Sequence, residues 1–213
     1  GTFRSDTSDP NAVKVSNLID HMVANKTLTL DSLFGASFVA NADKLVAIPG
    51  AAWYAGAVFQ NPSGVNADPG EWGAAPPLYW KDGDKVTGNV GGGVWYASSH
   101  TEEPEAVKTF LEFVTTAEGV AGTGGLPAYQ AAAETWLDEQ SKSGFYAGDF
   151  KAAVLAAASS VWSGWGYPNF SPETAWAKII TPGLASGQTM IELSPRWEQE
   201  MKNEAQVVGY TVE

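Results

Sequence analysis

Residues 161–176, with the sequence VWSGWGYPNFSPETAW, concentrate aromatic side chains in a part of the chain that cannot form one helix. The segment contains three tryptophans, one tyrosine and one phenylalanine, and it is interrupted by Gly164, Gly166, Pro168 and Pro172. A buried helix would space its rings three and four residues apart and would avoid proline. The segment is therefore predicted to be irregular, and its large flat rings must cover either a neighbouring core or a ligand.

The chain as a whole is rich in tryptophan. Nine of its 213 residues are Trp, whereas average usage predicts roughly three in a chain of this length. Aromatic-lined ligand surfaces are one reason for such a surplus. Apolar residues make up 44% and charged residues 17% of the sequence. These values are typical of a globular protein, and the length predicts one large domain or two small ones.

Charge and cysteine content exclude several classes of function. The 24 acidic and 12 basic residues give a formal charge of −12, and no cluster of Lys or Arg is present, so a nucleic-acid partner is not expected. The absence of cysteine excludes disulfides, thiolate metal sites and cysteine nucleophiles. His21 and His100 have no companion at metal-ligand spacing, so we expect no metal site and no other cofactor.

The sequence shows neither a membrane span nor a targeting segment. No apolar run approaches the ~20 residues that a membrane-spanning helix needs, so membrane insertion by this chain is not expected. The first residues, GTFRSDTSDPNAV, lack the charged and apolar regions of a signal peptide. We therefore expect a mature protein, a cytosolic protein or a fragment.

Helices dominate the sequence pattern, with a few short strands between them. Ser8 or Asp9 can cap a first helix that begins at Pro10 and ends near Asn25. Further helices are predicted at residues 31–40, 103–116, 129–141 and 149–159, and from SPETAW and PRWEQE onward. KLVAIPG predicts a buried strand, EWGAAPPL a short strand, and GGGVWYASS a glycine hinge that leads into a strand. The predicted fold class is α/β.

Gly91, Gly92 and Gly93 are consecutive, but they do not form a phosphate-binding loop. No Lys follows them, and the next predicted element is a strand rather than a helix. Close approach of the backbone to a neighbouring group and hinge freedom explain the three glycines better.

Four segments in the order LVAIPGAAWY, WGAAPPL, GGGVWYASSHTEEPEAVKTFLEFVTTAEG and GLPAYQAA carry a family resemblance. Their order and spacing resemble the C-terminal half of extracellular solute-binding proteins of the maltose- and oligosaccharide-binding kind, which serve bacterial ABC importers. In that family a strand ends in a Gly-Pro or Gly-Ser step followed by Trp; here the step is IPGAAWY, two residues looser. The resemblance covers nearly the whole chain and is most specific from Lys44 to Gln130.

The resemblance implies a periplasmic-binding-protein type II-like fold. In it, residues 1–90 and 126–213 would build a helix-rich C-terminal lobe, and residues 91–125 would belong to the N-terminal lobe of the intact protein, with Gly91–Gly93 at the crossing. Members of the family are about twice as long, because two lobes flank the ligand, so the chain is expected to be a fragment. Its expected location is periplasmic, or extracellular at the cell surface through a lipid anchor on the missing N-terminus.

The resemblance also implies a carbohydrate ligand that is delivered to the transmembrane subunits of an ABC permease. Trp53 follows a predicted strand, at the end where clefts form in open α/β sheets, and by resemblance its ring stacks on a sugar. Trp165, Tyr167 and Trp176 would add further platforms, which favours an oligosaccharide over a monosaccharide. The alternative is that these four rings cover the lobe's own core.

Two other functions are alternatives at the level of sequence. A glycosidase would share the aromatic platforms but needs two carboxylates across the scissile bond, and Glu173 is the only acid in the aromatic segment. A carbohydrate-binding module is usually a β-sandwich, whereas this sequence predicts mainly helices. Glu102, Glu103 and Glu105 are explained as helix-start acids favoured by the helix dipole. We therefore predict a binding protein that is not an enzyme and has no catalytic residue.

Overall fold

The structure is a computed structural model, and it describes residues 1–116 and 125–213. These residues form seven α-helices and four two-residue strands. The helices are α1 (Pro10–Ala24), α2 (Ala36–Ala40), α3 (Pro104–Thr116), α4 (Gln130–Lys142), α5 (Phe150–Ser159), α6 (Pro172–Ala185) and α7 (Met190–Val207). The strands are β1 (Thr2–Phe3), β2 (Trp72–Gly73), β3 (Tyr146–Ala147) and β4 (Thr211–Val212). A 3-10 turn at Ala42–Lys44 and a π-helical turn at Ala55–Phe59 complete the elements. Each predicted helix is present, although α2 is shorter than predicted.

The chain divides into two units. The first unit consists of Gly1–Ser32 and Gly166–Glu213, and the second is Leu33–Trp165. The lobe boundaries predicted at residues 90 and 125 refer to an intact receptor and stay a prediction. Residues 117–124, part of the segment predicted to belong to the N-terminal lobe of the intact protein, lie outside the described residues.

Side-chain caps determine where several helices begin. The side chain of Asp9 caps α1, and that of Ser171 caps α6. At α7, Thr189 and Glu192 form a reciprocal capping box. Because the first N–H groups of a helix have no partner within the helix, a side-chain acceptor just before them localises the start. The cap at Asp9 is one of the two that the sequence predicts for α1.

The core of the first unit lies between α6 and α7, with α1 packed against them. Its buried side chains are Ile180, Leu184, Met190 and Leu193, and Ile19 of α1 contacts this cluster. Gly183 permits the close packing, because a Cβ at that position would lie 2.4 Å from Cδ2 of Leu193. Parallel pairing of β1 with β4 then places Thr2 beside Thr211.

The core of the second unit lies between α4 and α5. Its main buried cluster consists of Trp136, Leu137 and Phe150, and partly buried residues that include Ala52, Leu126 and Tyr146 pack against it. β2 pairs with β3 in parallel, Trp72 beside Tyr146, which confirms the short strand predicted in EWGAAPPL. An isolated parallel bridge joins Thr87 to Val161. This bridge holds the start of the aromatic segment beside the backbone that follows Thr87.

Two strands that the sequence predicts are not formed. Residues 45–50, from LVAIPG, have no regular structure, and Val46 is 96% exposed. Residues 91–98, from GGGVWYAS, are also irregular, and φ is 84° at Gly91 and 98° at Gly92. Both predictions were wrong for physical reasons. An apolar run becomes a strand only where another strand pairs with it, and a positive φ takes the backbone out of the extended region.

The described chain is therefore rich in helices and contains few strands, and both strand pairs are parallel. This set of elements is compatible with the predicted α/β class. Helix α3 differs from the other long helices, because none of its residues is buried. Within residues 1–116 and 125–213, no helix combines the length and the apolarity that crossing a membrane requires.

Candidate functional site

Trp53 lies just before the π-helical turn of the second unit, and neighbouring backbone fixes its ring. Its indole Nε1 donates a hydrogen bond to the carbonyl oxygen of Val90, with the two atoms 3.2 Å apart. The backbone of Gly91 also lies close to the ring, since a Cβ at this residue would be 3.0 Å from the same nitrogen. Gly125 lies close to the side chain as well, since its Cβ would be 3.2 Å from Cβ of Trp53. One hydrogen bond thus orients the ring, and two glycines leave room for it because they have no side chain.

The three consecutive glycines are not equivalent in the structure. Gly91 has a φ of 84° and Gly92 a φ of 98°, and a residue with a Cβ rarely adopts such values. Only Gly91 also has a close neighbour, the Trp53 ring; nothing lies within 4 Å of the Cβ positions of Gly92 and Gly93. Of the three glycines, Gly91 is thus the one whose backbone lies close to a ring. The hinge role of the three glycines stays a prediction.

Trp165 lies against the same stretch of backbone as Trp53. The N–H of Thr87 donates to the carbonyl oxygen of Ser160 at 2.8 Å, and the N–H of Trp162 donates to the carbonyl oxygen of Thr87 at 3.0 Å. These bonds bring the aromatic segment beside Gly88, where a Cβ would lie 2.7 Å from Cη2 of Trp165. We call residues 88–91 the glycine strip: Trp165 packs on its first residue and Trp53 on its last two.

Two more rings adjoin Trp53 and were missed by the sequence reasoning. Phe34 is nearly parallel to Trp53, with an angle of 14° between the rings and 6.4 Å between their centroids. Tyr54 meets Trp53 edge to face at 4.5 Å, and burial raises the pKa of its hydroxyl, which therefore stays protonated at neutral pH. The only signal in the sequence is the position of Phe34, an aromatic residue just before Gly35, the N-cap of α2.

The chemistry that this group offers is apolar stacking. The only polar atom of the Trp53 side chain is bonded to Val90, so a ligand meets the apolar surface of that ring. Trp165 is 45% exposed and Phe34 is 64% exposed, so both rings present area to solvent. Rings of this kind bind ligands with flat C–H faces, and polar groups around them fix the orientation of the ligand.

Tyr167 and Trp176, the other two predicted site residues, belong to the first unit. Tyr167 is 59% exposed. Trp176 lies in α6, packs against the buried cluster of that unit, and meets Trp197 edge to face with centroids 5.3 Å apart. In the second unit Trp53 and Trp165 thus lie against the same backbone stretch, residues 88–91. Trp176 contributes to packing in the first unit.

Other features of the described chain do not coincide with the predicted site. The residues that the structure describes include no group of three or more His, Cys, Asp or Glu placed to hold a metal ion. A polar cavity of about 540 Å³ adjoins Arg4, Glu198 and Glu213, and a groove of about 670 Å³ runs beside α3. Neither cavity is lined by a predicted site residue.

No protein-family model matches the chain, and no curated protein matches it.

Proposed function

We propose that this chain binds carbohydrate as part of the solute receptor of an ABC importer. The observation that supports the proposal is that Trp53 and Trp165, far apart in sequence, both lie against the glycine strip, Trp165 at Gly88 and Trp53 at Val90 and Gly91. A sugar ring has C–H groups that pack on an aromatic face and hydroxyls at its rim. An apolar platform edged by backbone and hydroxyl groups suits both parts of such a ligand.

The nature of the neighbouring polar groups supports a sugar over a charged ligand. The hydroxyl of Tyr79 donates a hydrogen bond to Oγ of Ser160 at 2.9 Å, and Ser160 accepts from Thr87 through its carbonyl oxygen. A pair of neutral hydroxyls is thus joined to Thr87, the residue that precedes the glycine strip. Groups of this kind exchange hydrogen bonds with sugar hydroxyls without requiring a charge on the ligand.

The proposed role as part of a receptor also explains why helix α3 is exposed. None of its residues is buried, and two of its apolar rings are largely exposed, Phe110 at 53% and Phe113 at 61%. An amphipathic helix normally buries such a face. In our proposal residues 91–125 belong to the N-terminal lobe of a type II-like binding protein, and the rest of that lobe covers α3. The intact receptor then works outside the cytoplasmic membrane and delivers its sugar to a permease.

Isothermal titration calorimetry tests the proposal. Residues 1–213 are titrated with glucose-, xylose- and mannose-based trisaccharides, and we expect weak binding to at least one. If an intact receptor binds with micromolar affinity, about −8 kcal/mol, losing half of that free energy with one lobe leaves millimolar affinity. We expect Trp53→Ala to weaken the binding about tenfold, the effect of removing one stacked ring.

Trp95→Ala is the matched control for this titration. Trp95 is also exposed, at 57%, but its ring contacts Phe110 of α3, so its removal is expected to leave saccharide affinity unchanged. No heat from any trisaccharide, or equal effects of the two substitutions, contradicts the proposal. The same mixtures, assayed for new reducing ends, separate a receptor from a glycosidase, and we expect no release.

A further inference from the structure

We infer that Tyr79 and Ser160 are positioning residues for Trp165. Their hydroxyl groups hold the backbone that places the Trp165 ring on the glycine strip, and they act on the ligand only through that ring. The inference rests on the proposed function, because it takes Trp165 to contact the saccharide. It adds two hydroxyl groups to a site whose other members are aromatic rings and glycines.

Ser160 is the anchored end of this arrangement. It is the C-cap of α5, and its N–H donates a hydrogen bond to the carbonyl oxygen of Ala157 at 3.0 Å. Its Oγ donates to the carbonyl oxygen of Ala156 at 2.6 Å. Helix α5 itself is fixed in the core of the second unit through Phe150, which is buried there. Two hydrogen bonds thus tie Ser160 to a helix that the core holds in place.

Residues 79–87 are joined to Ser160 at both ends. The hydroxyl of Tyr79, a half-buried residue, donates to Oγ of Ser160 at 2.9 Å. A serine hydroxyl has one hydrogen and two lone pairs, so Ser160 can donate to Ala156 and accept from Tyr79 at the same time. The carbonyl oxygen of Ser160 accepts from the N–H of Thr87 at 2.8 Å. Because a loop tied at both ends has fewer conformations, the bond from Tyr79 restricts Thr87.

Thr87 in turn determines where Trp165 lies. The carbonyl oxygen of Thr87 accepts from the N–H of Trp162 at 3.0 Å, and the carbonyl oxygen of Trp162 accepts from the N–H of Trp165 at 2.9 Å. The residue after Thr87 is Gly88, where a Cβ would lie 2.7 Å from Cη2 of Trp165. Thr87 is therefore bonded to the turn that carries the ring and adjoins the glycine against which the ring packs.

Holding the ring in place before the ligand arrives favours binding. Trp165 is 45% exposed, so its ring is not enclosed by a core and would have more positions to lose on binding if Thr87 were less restricted. Preorganisation reduces this cost of ordering. Tyr79 and Ser160 are therefore expected to raise saccharide affinity without contacting the saccharide.

The test combines the position of the Trp165 ring with saccharide affinity. The indole ¹H–¹⁵N signals of Trp165 and Trp53 are recorded without ligand and then titrated with the best-binding trisaccharide. Tyr79→Phe and Ser160→Ala are each expected to shift the ligand-free signal of Trp165 and to weaken binding about threefold, within the worth of one neutral hydrogen bond. Ser160→Thr keeps a hydroxyl and is expected to retain the affinity. In a Trp165→Ala background, followed through the Trp53 signal, Tyr79→Phe is expected to cost no further affinity.

Two substitutions are matched controls. Tyr129→Phe removes the hydroxyl of another tyrosine of the second unit, which is 48% exposed at the N-cap of α4. Ser159→Ala removes the neighbouring hydroxyl of α5, which donates to the carbonyl oxygen of Ala156 at 3.1 Å, whereas Tyr79 donates to Ser160. Both controls are expected to leave the Trp165 signal and the affinity unchanged.

The possible failures are distinguishable. If the unaltered chain binds saccharide and Tyr79→Phe changes neither the Trp165 signal nor the affinity, the positioning role is wrong and the proposed function stands. If Tyr79→Phe weakens binding equally with and without the Trp165 ring, Tyr79 acts on something other than Trp165, and the inference is likewise overturned. If the unaltered chain binds no saccharide, the proposed function fails, and the role of Tyr79 and Ser160 in binding fails with it.

Discussion

The indole nitrogen of Trp53 donates a hydrogen bond to the carbonyl oxygen of Val90, 3.2 Å away, and this bond ties the ring to the glycine strip. On the same strip, the benzene part of the Trp165 ring faces Gly88, where three of its atoms lie within 3.1 Å of the position a Cβ would take. Absence of a side chain at Gly88 and a left-handed backbone at Gly91 allow both tryptophans to lie against this backbone. The glycines are therefore as necessary to the platform as the rings.

Gly88→Ala is expected to weaken saccharide binding by displacing Trp165. The new Cβ would lie 2.7 Å from Cη2 of the ring, so the ring must move. Because Trp165 is 45% exposed, it can move toward solvent, and the free energy of unfolding is expected to fall by only about 1 kcal/mol, the low end for overpacking. Calorimetric titration and urea denaturation measure the two effects.

Gly93→Ala serves as the control for that substitution, since nothing lies within 4 Å of its Cβ position. It is expected to leave affinity unchanged. Combining Gly88→Ala with Trp165→Ala should cost no more affinity than Trp165→Ala alone, because both remove the same contact. Full additivity of the two losses would show that Gly88 acts on something other than Trp165.

Trp176→Ala is expected to destabilise the first unit. Trp176 packs against the buried cluster and against Trp197, and full burial of a tryptophan would make its truncation cost about 3–5 kcal/mol. Because Trp176 is only half-buried, we expect a loss of about 2 kcal/mol in urea denaturation. Tyr167→Ala, at a residue that is 59% exposed, should change stability by less than about 0.5 kcal/mol. Equal losses for the two variants would contradict the packing role of Trp176.

Glu198 gives the first unit a defined response to acid. Burial raises the pKa of its carboxyl, but hydrogen bonds from Lys202 and Thr7 outweigh burial and hold the pKa below its ordinary value. A group whose pKa is lowered by folding stabilises the fold above its unfolded-state pKa, and this contribution is lost as the pH falls through the folded-state pKa. Glu198→Gln is therefore expected to lower stability at neutral pH by about 1–2 kcal/mol, the worth of a charged hydrogen bond.

The difference between Glu198→Gln and the unaltered chain should shrink as the carboxyl becomes protonated below its ordinary pKa of 4.5. Urea denaturation at neutral and acidic pH measures it. Glu102→Gln, at an exposed position, is the control and should leave the free energy of unfolding at neutral pH unchanged. A difference that stays constant with pH would mean that the charge of Glu198 does not contribute to stability.

Features that depend on nearby residues could be predicted from the sequence. Asp9 before Pro10 indicates the start of α1, and helix starts of this kind are present in the structure. The reason is that a cap and the N–H groups it satisfies lie within one turn. A strand forms only where a distant segment pairs with it. The apolar run at Val46 and the residues after Gly93 pair with no other strand in the part of the chain that the structure describes, and they remain irregular.

The site was only partly predictable for the same reason. The sequence predicts Trp53 as a ring at the end of a strand and Trp165 as a ring on an irregular segment. The contact of Trp165 with the glycine strip, however, depends on the bridge between Thr87 and Val161. A single bridge between distant segments leaves no periodic pattern in a sequence. Phe34 was missed because its significance comes from its stacking on Trp53, which no local motif encodes.

The most direct test of the proposed carbohydrate platform follows the tryptophan side chains themselves. In ¹H–¹⁵N correlation spectra of residues 1–213, the indole N–H signals are assigned by single Trp→Phe substitutions and then titrated with the trisaccharide that binds best. The account predicts that the signals of Trp53 and Trp165 shift together with one millimolar dissociation constant, while that of Trp136, which is 1% exposed, does not move. Shifts confined to other tryptophans, or no shift at millimolar saccharide, would contradict it.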